Sequence, residues 1–82
     1  MKPIEFPGSN VVYGANQPEY QPLPAMKMPD GQVLTCWQFT EEELAIINKT
    51  KCMYLSQLTF NQPLQPIIMM TEISDNIELT NG

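Results

Sequence analysis

Six of the eight prolines in this 82-residue chain fall within its first 29 residues: Pro3, Pro7, Pro18, Pro22, Pro24 and Pro29. Proline fixes φ and has no N–H to give to a helix or a strand ladder. This third of the chain is therefore predicted to be neither a helix nor a central strand. It reads as an extended arm or edge segment. Asn10-Val11-Val12-Tyr13 makes a short strand, and residues 21–28 a proline-blunted edge strand.

Regular structure is signalled more strongly beyond Pro29. Pro29-Asp30-Gly31 is a turn in which proline presets φ and glycine takes the left-handed position. It leads into a strand over residues 32–39, and the strand runs straight into a helix. Thr40 is a good N-cap, Glu43 lies three residues on, and Phe39 is placed to staple onto Leu44. Glu41, Glu42 and Glu43 sit at the positive end of the helix dipole, and Lys49 and Lys51 near its negative end. The helix is predicted over residues 41–50, with no glycine to mark its end. Residues 52–60, rich in Tyr, Leu, Thr and Phe, read as the next strand. Asn61-Gln62-Pro63 is a turn, residues 65–73 a last strand, and residues 74–82 a polar tail.

The expectation is a single α+β domain with a small, mostly antiparallel sheet in the order β-β-α-β-β. Its one short helix lies at residues 41–50. A proline-rich arm (1–29) precedes the sheet-and-helix core (30–73), and the polar tail follows.

Alternation decides which faces are buried. In the first core strand Val33, Thr35, Trp37 and Phe39 oppose Leu34, Cys36 and Gln38. In the second, Tyr54, Leu58 and Phe60 oppose Met53 and Leu55; in the last, Ile67 and Met69 oppose Ile68 and Met70. Both faces are largely apolar, and one ten-residue helix shields only one. At ~25 cal/mol per Å², a few hundred Å² left wet forgoes several kcal/mol, comparable to the whole stability of a small domain. The second face is to be covered by the proline-rich arm, by a second copy of the chain, or by a partner.

Charge and composition exclude several functions. Four Lys against nine acids gives a net charge of −5, with no His and no Arg. Scattered lysines supply no basic footprint for nucleic acid. No apolar run approaches the ~20 residues of a membrane span, and the N-terminal residues do not resemble a signal peptide. These features point to a soluble cytoplasmic protein, not secreted, with Cys36 and Cys52 reduced; a disulfide forms only if the two face each other. Two cysteines without histidine are too few for a structural zinc site, and no cofactor or metal is expected. A cysteine or serine nucleophile lacks its usual base. The three adjacent glutamates are explained by the helix cap and splay apart around the helix, so they do not converge on one substrate atom. The four glycines are dispersed and form no phosphate-cradling loop. The chain is read as not an enzyme.

The aromatic and methionine residues remain. Trp37, Tyr13, Tyr20 and Tyr54, with Met26, Met28, Met53, Met69 and Met70, fill a small core or form an adaptable contact surface, since Met-rich surfaces repack and Tyr and Trp anchor interfaces. The candidate binding residues are Trp37, Tyr54 and Met70, rimmed by Gln57, Gln62 and Gln65.

The string Gln17-Pro18-Glu19-Tyr20-Gln21-Pro22-Leu23-Pro24-Ala25, then Gly31, Thr35-Cys36-Trp37, Leu58-Thr59-Phe60 and Pro63-Leu64-Gln65-Pro66, resembles small proteins of tailed phages and prophages of Bacteroidetes hosts. The similarity spans most of residues 10–70. Related sequences have glycine near the helix end, where this chain has Thr50-Lys51. That family has no assigned catalytic residues, so none carries over. The resemblance implies a viral setting, in which small acidic proteins inhibit host machinery or join an assembly. Three functions are open: a protein-binding inhibitor or modulator of a host protein, a virion or assembly component, and an oligomeric small-ligand (nucleotide) sponge. The sponge would rely on Lys27, Lys49, Lys51 or backbone N–H groups for phosphate.

Overall fold

Extended backbone dominates the first third of the chain, as the prolines require, yet much of it is paired into sheets. The computed structural model describes residues 1–19, 21–73 and 80–81. The strands are β1 (Lys2–Ile4), β2 (Val11–Tyr13), β3 (Leu23–Lys27), β4 (Val33–Leu34) and β5 (Cys36–Gln38). Helix α1 (Glu41–Thr50) follows, then β6 (Pro66–Ile67) and β7 (Thr80–Asn81). All strand pairs are antiparallel: β1 with β5, β2–β3–β4 as a three-stranded sheet, and β6 with β7. The fold is α+β, with small antiparallel sheets and one short helix. Most of the expected polar tail, and Tyr20, lie outside the described residues.

Three sequence expectations are corrected. The strand containing Pro24 is central, because β3 pairs with β2 on one side and β4 on the other. The geometry tolerates the missing N–H. Pro24 faces Val12 across a pair that can make no N–H bond from Pro24, so the ladder bonds fall on its neighbours. On the other side β4 spans only Met26 and Lys27, so Pro24 lies beyond that ladder's end. Second, the strand expected over residues 32–39 divides at Thr35: β4 pairs with β3, and β5 pairs with β1. Third, residues 52–60 form no strand, and the last strand shortens to Pro66–Ile67. Strand propensity describes fit to a neighbouring strand, and no described strand lies alongside residues 52–60.

The turns follow their local chemistry. Phe6-Pro7-Gly8-Ser9 has the signature of a type II turn: Pro7 leads, Gly8 sits at φ 99°, and Ser9 N donates to Phe6 O at 3.0 Å. The β3–β4 connection places Pro29 first and Gly31 at φ 93°, with Gly31 N donating to Met28 O at 3.0 Å. Asp30 braces it, its Oδ1 accepting from Gln32 N at 3.0 Å. The predicted glycine turn is present.

Helix α1 begins where its sequence signals it. Thr40 Oγ1 accepts from Glu43 N at 3.1 Å, and Glu43 Oε1 accepts from Thr40 N at 2.8 Å. Its end is closed without glycine: Lys51 adopts φ 59° and donates its backbone N–H to Ile47 O at 2.7 Å. No residue of the helix is buried. The helix therefore seals neither sheet face.

Candidate interaction surface

Ala25, on the central strand, is the one fully buried hydrophobic residue among those described. Sixteen large apolar side chains are exposed instead, thirteen of them on the sheets or in the chain after α1. Val12, Tyr13, Val33 and Trp37 lie on the sheets. Met53, Tyr54, Leu55, Leu58 and Phe60 lie in the irregular stretch after α1, with Ile68, Met69, Met70 and Ile73 beyond it. From Cys52 to Thr71 the chain carries no charged side chain, although its other residues hold every lysine and every acid. An uncharged surface-exposed run of that length avoids the desolvation penalty of burying charge on contact.

The residues singled out from sequence are all exposed, but they occupy separate elements. Trp37 sits on β5 opposite Pro3, 44% exposed, its Nε1 donating to Thr35 Oγ1 at 2.9 Å. Tyr54, 97% exposed, and Gln57 lie in the unpaired stretch. Gln62 closes a turn by donating its N–H to Thr59 O at 3.0 Å, Gln65 precedes β6, and Met70 follows it at 37% exposure. None of these six lines either of two shallow grooves among the described residues. One, of about 330 Å³, runs along β2 and is lined by Glu5, Ser9, Asn10, Val11, Val12 and Pro24. The other, about 440 Å³, lies at the helix entry between Met1, Lys2, Gln38, Phe39, Thr40 and Glu41.

The sequence reading overlooked the β2 edge and the groove beside it. The uncharged run from Cys52 to Thr71 is legible in the sequence and coincides with the exposed apolar stretch after α1.

Two carboxylates are perturbed, and both shifts have structural causes. Gln32 donates its side chain and its backbone N–H to Asp30 and lowers its pKa. The Met1 ammonium, 2.6 Å from Glu43 Oε1, does most to lower Glu43, with the Thr40 backbone N–H adding to it. Both groups complete local turns or caps. Among the described residues no Cys, Asp and Glu side chains gather as a metal site, and Cys36 and Cys52 are unpaired. No described helix is long and apolar enough to cross a membrane.

Comparison with family models, with characterised proteins and with solved structures finds no match for this chain.

Proposed function

We propose that this protein is a non-enzymatic protein–protein interaction module whose apolar surface is completed by a protein partner. A single observation carries this reading: one buried hydrophobic residue stands against sixteen large exposed ones among the described residues. A chain of 9.3 kDa folded to ordinary monomer density exposes about 5,000 Å². This one exposes 7162 Å². The excess is more than the roughly 800 Å² that a standard interface takes from each partner. The absence of His and Arg removes the usual general base and the usual clamp for developing negative charge, which supports a binding role over turnover.

The resemblance to small phage and prophage proteins makes the partner a host protein, with this chain as its inhibitor or modulator in the host cytoplasm. The contact runs through Trp37, Tyr54 and Met70, with Gln57, Gln62 and Gln65 as polar rim. The test is capture from a host lysate by the tagged full chain, followed by mass spectrometry. One protein, retained in fixed ratio and lost on Trp37→Ala or Tyr54→Ala while the helix signal persists, supports the reading. Turnover of a substrate abolished by a single carboxylate or cysteine substitution would refute it.

A further inference from the structure

Residues 52–59 form a strand-length stretch without proline, glycine or charge, and they have no strand partner among the described residues. Between Met53 and Leu58 the backbone makes no hydrogen bond to any described residue. The stretch is bracketed by left-handed backbone, Lys51 at φ 59° on one side and Phe60 and Asn61 at 55° and 64° on the other. A bulky aromatic residue at positive φ is strained. Leu58 and Phe60 are 76% and 74% exposed. The stretch has the composition of a strand, and from Met53 to Leu58 its N–H and C=O groups have no hydrogen-bond partner among the described residues.

A matching edge exists on the same molecule. Among the described strands β2 is the outer strand of its sheet, bonded only to β3. It contains neither proline nor charge, unlike β1 with Lys2 and Pro3. Because Pro24 can offer Val12 no N–H, Val12 and Pro24 are a non-hydrogen-bonded pair. The odd residues of β3 face β2 instead, as Ala25 O shows by accepting from Asn10 N at 2.8 Å. The Val12 N–H and C=O thus point outward, at the open edge. A shallow groove of about 330 Å³, lined by Glu5, Ser9, Asn10, Val11, Val12 and Pro24, lies beside it.

Building on the interaction-module reading, we propose that the first partner is a second copy of this chain. Residues 52–59 of each copy add as a β-strand to the β2 edge of the other. Main-chain bonds supply affinity in such strand addition, and pockets for alternate side chains supply register. Each copy carries both the donor stretch and the acceptor edge, so a reciprocal exchange between two copies is compatible with two-fold symmetry. Like-charged copies repel, but the uncharged run from Cys52 to Thr71 brings no charge to the contact. The exposed area is also sufficient, because a standard interface takes about 800 Å² from each partner.

Light scattering on the full chain tests this, using two variants. Val12→Pro removes the outward N–H of the acceptor edge and leaves the ladder bonds to β3 in place. Leu58→Asp puts a charge into the donor stretch. The wild type is expected as a dimer, and each variant to weaken dimerisation about tenfold or more with the helix signal retained. Mixing the two variants restores one of the two strand additions, the sound donor of Val12→Pro on the sound edge of Leu58→Asp, so the mixture associates more tightly than either variant alone. A wild type that is monomeric at about 100 µM and melts cooperatively overturns the exchange. So does a Val12→Pro dimer as tight as wild type. If that monomer still captures a host protein, the interaction-module reading survives without the exchange; if it captures nothing, both fall.

Discussion

Asn10 acts as a strand residue toward Lys27: its Nδ2 donates to Lys27 O at 3.2 Å, and its Oδ1 accepts from Lys27 N at 2.9 Å. One side-chain amide thus presents the donor and acceptor of a peptide group to the last residue of β3. It extends the β2–β3 ladder past Val11, opposite Ala25, where the chain turns away into Ser9 and Gly8. Both of these bonds depend on Asn10. Replacing it by Ala is expected to cost about 1 kcal/mol, measured as a lowered urea midpoint at fixed protein concentration, since net hydrogen bonds at accessible positions are worth about that much. Asn10→Asp keeps the acceptor and loses the donor, and should fall between wild type and Ala.

Glu43 links acid stability to the start of the helix. Its pKa is lowered in the folded chain by the Met1 ammonium and the Thr40 N–H, from a reference of 4.5. A depressed carboxylate adds stability above its unfolded pKa, and that contribution is lost as pH falls through the lower folded value. Stability should therefore drop below about pH 4.5 more steeply in wild type than in Glu43→Gln, as seen in thermal melts across pH 3 to 6. Parallel curves for the two proteins would show that the charge of Glu43 contributes nothing.

The helix end should improve when its left-handed residue is glycine. Lys51 holds φ 59° and bonds Ile47 O, the arrangement glycine adopts without steric cost. Lys51→Gly is expected to stabilise the chain by about 0.5–1 kcal/mol, the relief of left-handed strain exceeding the added chain entropy. A denaturant titration checks both sign and size.

Gly8 has the opposite requirement. At φ 99° an L side chain is strained, and a Cβ there would lie 2.9 Å from Met26 Sδ. Gly8→Ala should destabilise by about 1–2 kcal/mol. Gly31→Ala, at φ 93° but with open space around it, should show the backbone strain alone. Comparing the two melts separates the close approach from the φ requirement.

Local chemistry settled what lies within a few residues. Thr40 and Glu43 define the start of α1, because capping needs only groups three positions apart. The Pro29–Gly31 turn follows from which residues tolerate each φ. The lack of His and Arg narrowed the chemistry for the same reason: residue type alone decides which charges and bases exist. Tertiary structure decided the pairings. A proline strand is permitted at the centre of a sheet when its missing N–H faces a non-hydrogen-bonded position and the far ladder stops short, and only the register of Val12 with Pro24 reveals that. The stretch from Cys52 to Phe60 has the composition of a strand but is not one in the single chain. A strand exists only where a neighbour meets its backbone groups, so its propensity remains unspent until the fold, or a second chain, provides an edge.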